Sequence, residues 1–85
     1  MKWVEFDNQK PEPGQLVAVN FKENWTRLVL CYFDNRASWE SREDDTLGDE
    51  CSDREWFTDF EDKGDWWEAQ YIACWATIAP PLAKP

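Results

Sequence analysis

Between Glu40 and Glu68 thirteen carboxylates stand against three cations, Arg42, Arg54 and Lys63. That stretch carries a net charge of −10, whereas the whole 85-residue chain carries −9. Charge at this density costs self-repulsion, so a fold that tolerates it needs a reason to do so. Set beside and among the acids are Trp39, Trp56, Phe57, Phe60, Trp66 and Trp67, side chains able to hold the segment onto a folded body. An acidic surface built on aromatic anchors is what this pattern predicts.

The length fits a single domain over residues 1–85, with an acidic insertion at 40–68 and a Pro-rich tail at 79–85. Folding must offset roughly 1.5 kcal/mol of conformational entropy per ordered residue, which leaves small folds marginal. Seven Trp, five Phe and two Tyr supply the offset, since each aromatic buries about 150–250 Å², or about 4–6 kcal/mol at most. They outweigh the disorder that net charge alone suggests, and they predict an interior filled with Trp. Cys31, Cys51 and Cys74 leave one thiol over in any disulfide scheme. Their spacing fits no zinc signature and the chain has no histidine, so three free thiols in a reducing compartment are expected. The start lacks the apolar run of a signal peptide, and no stretch approaches the ~18 apolar residues of a membrane span. These features suggest a soluble, cytoplasmic protein without a cofactor.

Periodicity outlines the architecture. Trp3–Phe6 begins a strand, Asn8 to Gly14 is a turn with two prolines, and Leu16–Phe21 alternates with Val17, Val19 and Phe21 on one side. Asn24 and its neighbours suggest a hairpin turn, and Thr26–Phe33 reads as a central strand covered on both faces. Asp34-Asn35-Arg36 reads as a turn and Ala37–Ser41 as a short strand carrying Trp39. A long acidic loop is expected from Glu43 to Asp53. Ser52-x-x-Glu55 fits a capping box, with Trp56 and Phe60 at i, i+4 and Gly64 as a stop, so a helix is expected near Asp53–Asp62, with a hairpin strand as its rival. Tyr71–Ile78 resumes strand character before the proline-rich tail. The fold class is mostly β (α+β): a small curled antiparallel sheet or barrel of about five strands, with an acidic loop or short helix inserted.

The two ends resemble the small phage and prophage domains of the DUF551 group. Those domains start with a Trp-hydrophobic pair, pass through a Pro-x-x-Gly turn into a Val-rich strand, and end in a Trp followed by a Pro-rich tail. The matching stretches here are Trp3-Val4, Pro11-Glu12-Pro13-Gly14-Gln15-Leu16-Val17-Ala18-Val19, and Ile72-Ala73-Cys74-Trp75 through Pro80-Pro81. Cys74 stands where these domains often have a histidine, and the acidic middle has no counterpart. The resemblance implies a compact β-rich fold and a phage or mobile-element origin. It implies no mechanism.

No catalytic constellation competes with the acid. Without histidine a Ser or Cys nucleophile lacks its commonest base, and three glycines form no phosphate cradle. An EF-hand frame centred on Gly48 fails, because Leu47 falls at a ligand position and Arg54 where a Glu is required. Irregular calcium binding by Asp44, Asp45, Asp49 and Glu50 remains as an alternative. Direct nucleic-acid binding needs a basic patch, and anionic membranes repel the same charge. Glu43, Asp44, Asp45, Asp49, Glu50, Asp53, Glu55, Asp59, Glu61, Asp62 and Asp65 form a negative stripe, with Trp66 and Trp67 as candidate hot spots for a partner. Duplex DNA carries one charge per ≈ 1.7 Å of axis, and a carboxylate-studded scaffold imitates that field. The expected function is a non-catalytic inhibitor of the anti-restriction or anti-CRISPR type, bound to a basic, nucleic-acid-binding host protein. A protein–protein adaptor using exposed aromatics is the alternative.

Overall fold

The computed structural model describes residues 2–47 and 53–78. Among these, the strands are β1 (Trp3–Glu5), β2 (Leu16–Phe21), β3 (Asn24–Asn35), β4 (Glu55–Asp59), β5 (Trp66–Glu68) and β6 (Ile72–Thr77). A helix, α1 (Arg36–Glu43), follows β3, and a 3₁₀ turn, Ala69–Tyr71, leads into β6. All strands pair antiparallel in one sheet of order β1-β6-β2-β3-β4-β5. The protein is thus mostly β. Its sheet ends in two edges, β1 and β5, and is a curled sheet rather than a closed barrel.

Side-chain contacts measure the curl. Flat strands lie about 4.8 Å apart, so β1 and β4, four steps apart in the order, would be separated by about 19 Å. Yet Phe6, one residue past β1, meets Phe57 of β4 edge-on with ring centroids 5.7 Å apart, and Phe33 at 5.8 Å. Across the other half, Phe21 of β2 reaches Trp67 of β5 at 5.5 Å. Residues paired across an antiparallel ladder share a face, and the registers Val17↔Cys31, Val19↔Trp75 and Phe33↔Phe57 turn one set inward. Val17, Val19, Cys31, Phe57 and Ile72 are fully buried there. The segment between β1 and β2 crosses this concave side. Trp75 Nε1 donates to the carbonyl of Gln9 at 2.8 Å, and Gly14 turns the chain with φ +87°, a conformation costly for any residue with a Cβ.

The strands β1, β2 and β6 lie where alternation put them, while two other expectations are corrected. Asp34-Asn35-Arg36 is not a turn and Ala37–Ser41 is not a strand, because this stretch forms α1. Asn35 caps it: its side chain accepts from Ser38 N at 2.8 Å, and Ser38 Oγ accepts from Asn35 N at 3.0 Å. The helix near Asp53–Asp62 is absent, and Glu55–Asp59 is instead the rival strand, β4. Strand geometry buries Trp56 and Phe57 on opposite faces, which a single helical face could not do. Gly64 then lies in the β4–β5 turn, not at a helix end.

Burial also redistributes the aromatics. The strand buried on both faces is β2, whereas Leu28 and Leu30 of β3 are exposed on the convex side. The interior is mainly Phe, Val and Ile. Trp56 and Trp75 are buried, but Trp3, Trp25 and Trp66 are exposed. Cys31 and Cys74 are free thiols. Cys51, Asp49, Glu50, Ser52 and the tail 79–85 lie outside the described residues.

Candidate functional site

One carboxylate dominates the convex face beneath α1. Asp34 is fully buried and accepts two bonds from Arg42, both 2.7 Å, with one from Ser38 Oγ at 2.8 Å and one from Thr58 Oγ1 at 2.7 Å. Thr58 Oγ1 in turn accepts the Trp56 indole N–H at 2.9 Å. The Arg42 guanidinium stacks on the Tyr32 ring at 3.9 Å. These bonds to Asp34 raise the arginine's affinity for its proton still further. Among the described residues no buried side-chain polar atom is left without a partner.

This network explains how a helix with no buried side chain stays docked. Ser38 and Arg42, four residues apart, share the helix face that meets Asp34. The next stripe carries Trp39 and Glu43. A third, Arg36 and Glu40, holds the returning chain: Glu40 Oε2 accepts Leu47 N at 2.8 Å, and Arg36 Nη2 donates to the Leu47 carbonyl at 3.2 Å. The Leu47 amide, and then Arg36, hold the Glu40 carboxyl below its ordinary range.

The acids expected to form a stripe fall into two groups on neighbouring elements. Glu43 ends α1 and Asp44 and Asp45 follow it, with Asp44 in the left-handed region at φ 59°. Asp59, Glu61, Asp62 and Asp65 belong to the end of β4 and the turn into β5. In that turn Asp59 Oδ2 accepts Asp62 N at 3.0 Å and Asp62 Oδ1 accepts Gly64 N at 2.9 Å, so some acids shape the turn as well as charge it. Lys63 joins the groups, 3.4 Å from Glu43 and 3.7 Å from Asp45. Asp53 is exposed ahead of β4. Glu55 is drawn away to Lys10 at 2.8 Å. Trp66 stands on the convex face and is half exposed, while Trp67 is turned to the core against Phe21.

Between these elements lies a cleft of about 570 Å³, walled by Trp39 from α1, Trp56 and Glu55 from β4, and Trp66 and Glu68 from β5. Sequence reasoning missed both the cleft and the Asp34 network. The signal for the network is local: Asp34, Ser38 and Arg42 recur at four-residue spacing behind an Asn35-x-x-Ser38 cap.

The convex face also carries an apolar row. Trp3 pairs with Ala76, Ala76 with Ala18, and Ala18 with Leu30, while Phe60 N donates to the Leu30 carbonyl. Trp3, Leu30 and Phe60 remain exposed along it, with Leu28 beside them.

Among the described residues no group of three or more His, Cys, Asp or Glu side chains is arranged to hold a metal ion. No helix there is long and apolar enough to cross a membrane. Comparison with family models, curated proteins and solved structures finds no match for this chain.

Proposed function

We propose that this chain is a small, non-catalytic inhibitor that occupies the basic nucleic-acid-binding surface of a partner protein, offering carboxylates where the partner expects phosphates. The observation that carries this reading is the convergence of two acidic stretches, at the end of α1 and at the β4–β5 turn, with Lys63 between Glu43 and Asp45. Convergence concentrates the field at one end of the sheet. A field of that kind steers basic partners and speeds their association. The phage-domain resemblance at the chain's ends suggests a host enzyme of defence or nucleic-acid metabolism as the target, and the host cytoplasm as the setting.

The test is an affinity capture from host lysate with washes at low and high salt, followed by competition with DNA and RNA. A captured nucleic-acid-binding protein, released by salt and displaced by nucleic acid, is the expected result. Replacing Asp44, Asp45, Asp49 and Glu50 by Lys should abolish both capture and inhibition while far-UV circular dichroism stays unchanged. Inhibition that survived this charge reversal would rule out the acidic-decoy reading for that stretch.

A second reading has its own observation. Trp3, Leu30 and Phe60 lie in an apolar strip at right angles to the strands, exposed at Trp3 and at the Leu30–Phe60 end, with the buried Ala76 and Ala18 between them. Strips of this kind mark protein contacts, and they support an adaptor whose acid serves solubility. Its partner would resist salt and would not be displaced by nucleic acid.

A further inference from the structure

We infer that the cleft between α1 and the β4–β5 hairpin is an arginine-binding pocket, which receives an arginine side chain projecting from the basic partner. The inference rests on the reading of the acidic end as a docking surface, and it names the contact that would give that surface specificity.

Three indoles from three elements, Trp39, Trp56 and Trp66, line the same cleft. Its volume, about 570 Å³, lies within the range of pockets that take discrete ligands, roughly 300–1,000 Å³. Trp66 is 51% exposed, so core packing does not account for it. Trp56 is only 7% exposed, and its indole is locked through Thr58 to Asp34. The same Asp34 fixes Ser38 and Arg42, and thereby the helix that carries Trp39. One buried network therefore sets two walls of the cleft relative to each other, the preorganisation a binding site requires.

Charge decides the occupant. Of the ionic groups lining the cleft, Glu55 is paired with Lys10, and Lys63 with Glu43 and Asp45. That leaves Glu68, which accepts a hydrogen bond from Gln70 Nε2, and Arg54 without an ion pair among the described residues. The four ionic groups of the lining balance, and the excess of acid comes from the neighbouring end of α1 and the β4–β5 turn. The surrounding field favours a cation, and flat indole faces beside a carboxylate suit a guanidinium. Arginine is the side chain that both stacks on aromatic rings and bonds carboxylates in a fork. The protein already builds this arrangement internally, with Arg42 stacked on Tyr32 and bonded twice to Asp34. Lysine, a compact and strongly hydrated charge, gains less from the indoles.

The test titrates the isotopically labelled protein with a blocked tetra-arginine peptide, and in parallel with tetra-lysine and the uncharged isostere tetra-citrulline. Indole N–H resonances are read by NMR. Tetra-arginine should move the Trp39 and Trp66 indoles and leave Trp3 and Trp25 in place. Tetra-citrulline should bind at least tenfold more weakly. W66A should weaken tetra-arginine about tenfold, W66F less so because a phenyl face remains, and E68Q several-fold. R54A should tighten binding, because it removes the competing cation. Shifts spread over the acidic turns, with W66A binding as tightly as the native chain, would overturn the inference. So would equal binding of arginine and citrulline. Competition with DNA for the captured partner is measured on the same variants. If W66A competes as well as the native chain, the cleft has no part in docking and the decoy reading stands alone. If only the Asp44/Asp45/Asp49/Glu50 Lys variant fails to compete while W66A loses arginine binding, the cleft binds arginine but the partner does not use it, and the inference again fails.

Discussion

Removing Arg42 should be among the most damaging single changes in this molecule. Asp34 is fully buried, and two of its four hydrogen bonds come from Arg42. Breaking a buried ion pair from one side costs about 3–5 kcal/mol, since the remaining charge is left uncompensated. Two features favour the lower end. The Arg42 side chain keeps 22% exposure, and Asp34 retains the hydroxyls of Ser38 and Thr58. Arg42→Met is therefore expected to cost about 3 kcal/mol, against a total stability of about 4–13 kcal/mol for a chain of this length. With a urea slope of about 1 kcal/mol/M, the midpoint falls by about 3 M. Asp34→Asn alone should cost about 2 kcal/mol. The double variant should lose about 2–3 kcal/mol rather than the sum, because neither partner then leaves an orphaned charge. The assay is urea unfolding followed by circular dichroism and tryptophan fluorescence on all four proteins. Arg42→Lys extends the series if Arg42→Met unfolds, since it keeps the charge but loses the fork and much of the stacking on Tyr32. A cost for Arg42→Met below about 1 kcal/mol, or strict additivity in the double variant, would refute the argument that this pair docks the helix.

Three further outcomes follow from local geometry. Glu40 titrates below its ordinary value of 4.5 because it accepts the Leu47 amide and then Arg36; a depressed folded value means that its contribution is present above 4.5 and is lost as pH falls through the folded value. The Leu47 amide resonance should accordingly hold its position until the pH is below 4.5, and a titration midpoint at or above 4.5 would contradict the bond. The Cys31 thiol is pushed far above the usual thiol range by burial and then by Asp59 and Asp34, so at neutral pH iodoacetamide should modify it only after denaturation, as read by peptide mass mapping. Gly14→Ala should cost about 1 kcal/mol in urea unfolding. The added Cβ finds only ordinary contact with Ser38 at 3.7 Å, so the cost comes from φ +87°, and a neutral result would remove the strain argument.

The elements visible in the sequence were those whose apolar positions recur at strand spacing because they are buried in the sheet. In β2 the core-facing positions Val17 and Val19 fall at strand spacing, Ile72 and Trp75 of β6 join the same core, and Pro13-Gly14 punctuates the entrance to β2. The helix α1 was hidden because none of its side chains is buried, so it shows no apolar stripe. Its stabilisation is polar and depends on Asp34, a residue of the preceding strand. In β4 a local pattern misled: Ser52-x-x-Glu55 and the Trp56/Phe60 spacing suit a helix, but pairing with β3 prevails because it buries Trp56, Phe57 and Thr58 together. The acidity was plain from composition, whereas its grouping was not. Glu43 and Lys63 lie twenty residues apart and meet only because α1 and the β4–β5 turn are neighbours. The cleft depends on the same long-range step, so no window of sequence could display it.

The sheet separates two kinds of surface, and the separation bears on which of them binds. Carboxylates gather around β4, β5 and the end of α1, while Trp3 of β1 and Leu30 of β3 are exposed on the convex side with the buried Ala76 and Ala18 between them. Concentrating the acid raises self-repulsion above what the same residues would suffer if scattered. Solubility alone is served better by interspersed charge. On the proposed reading the clustering serves a partner rather than solvation. Salt provides the discriminating measurement, since the Debye length shrinks from about 10 Å at 0.1 M to about 3 Å at 1 M. A partner held by the acidic end should dissociate faster and associate more slowly across that range. One held by Trp3, Leu30 and Phe60 should bind equally well or more tightly, because apolar burial does not weaken as charge is screened. Leu30→Ser, an exposed position, should then abolish only the salt-resistant contact. A partner that is insensitive to salt and lost in Leu30→Ser would transfer the function to the apolar row and leave the acidic end as the solvated face of an adaptor.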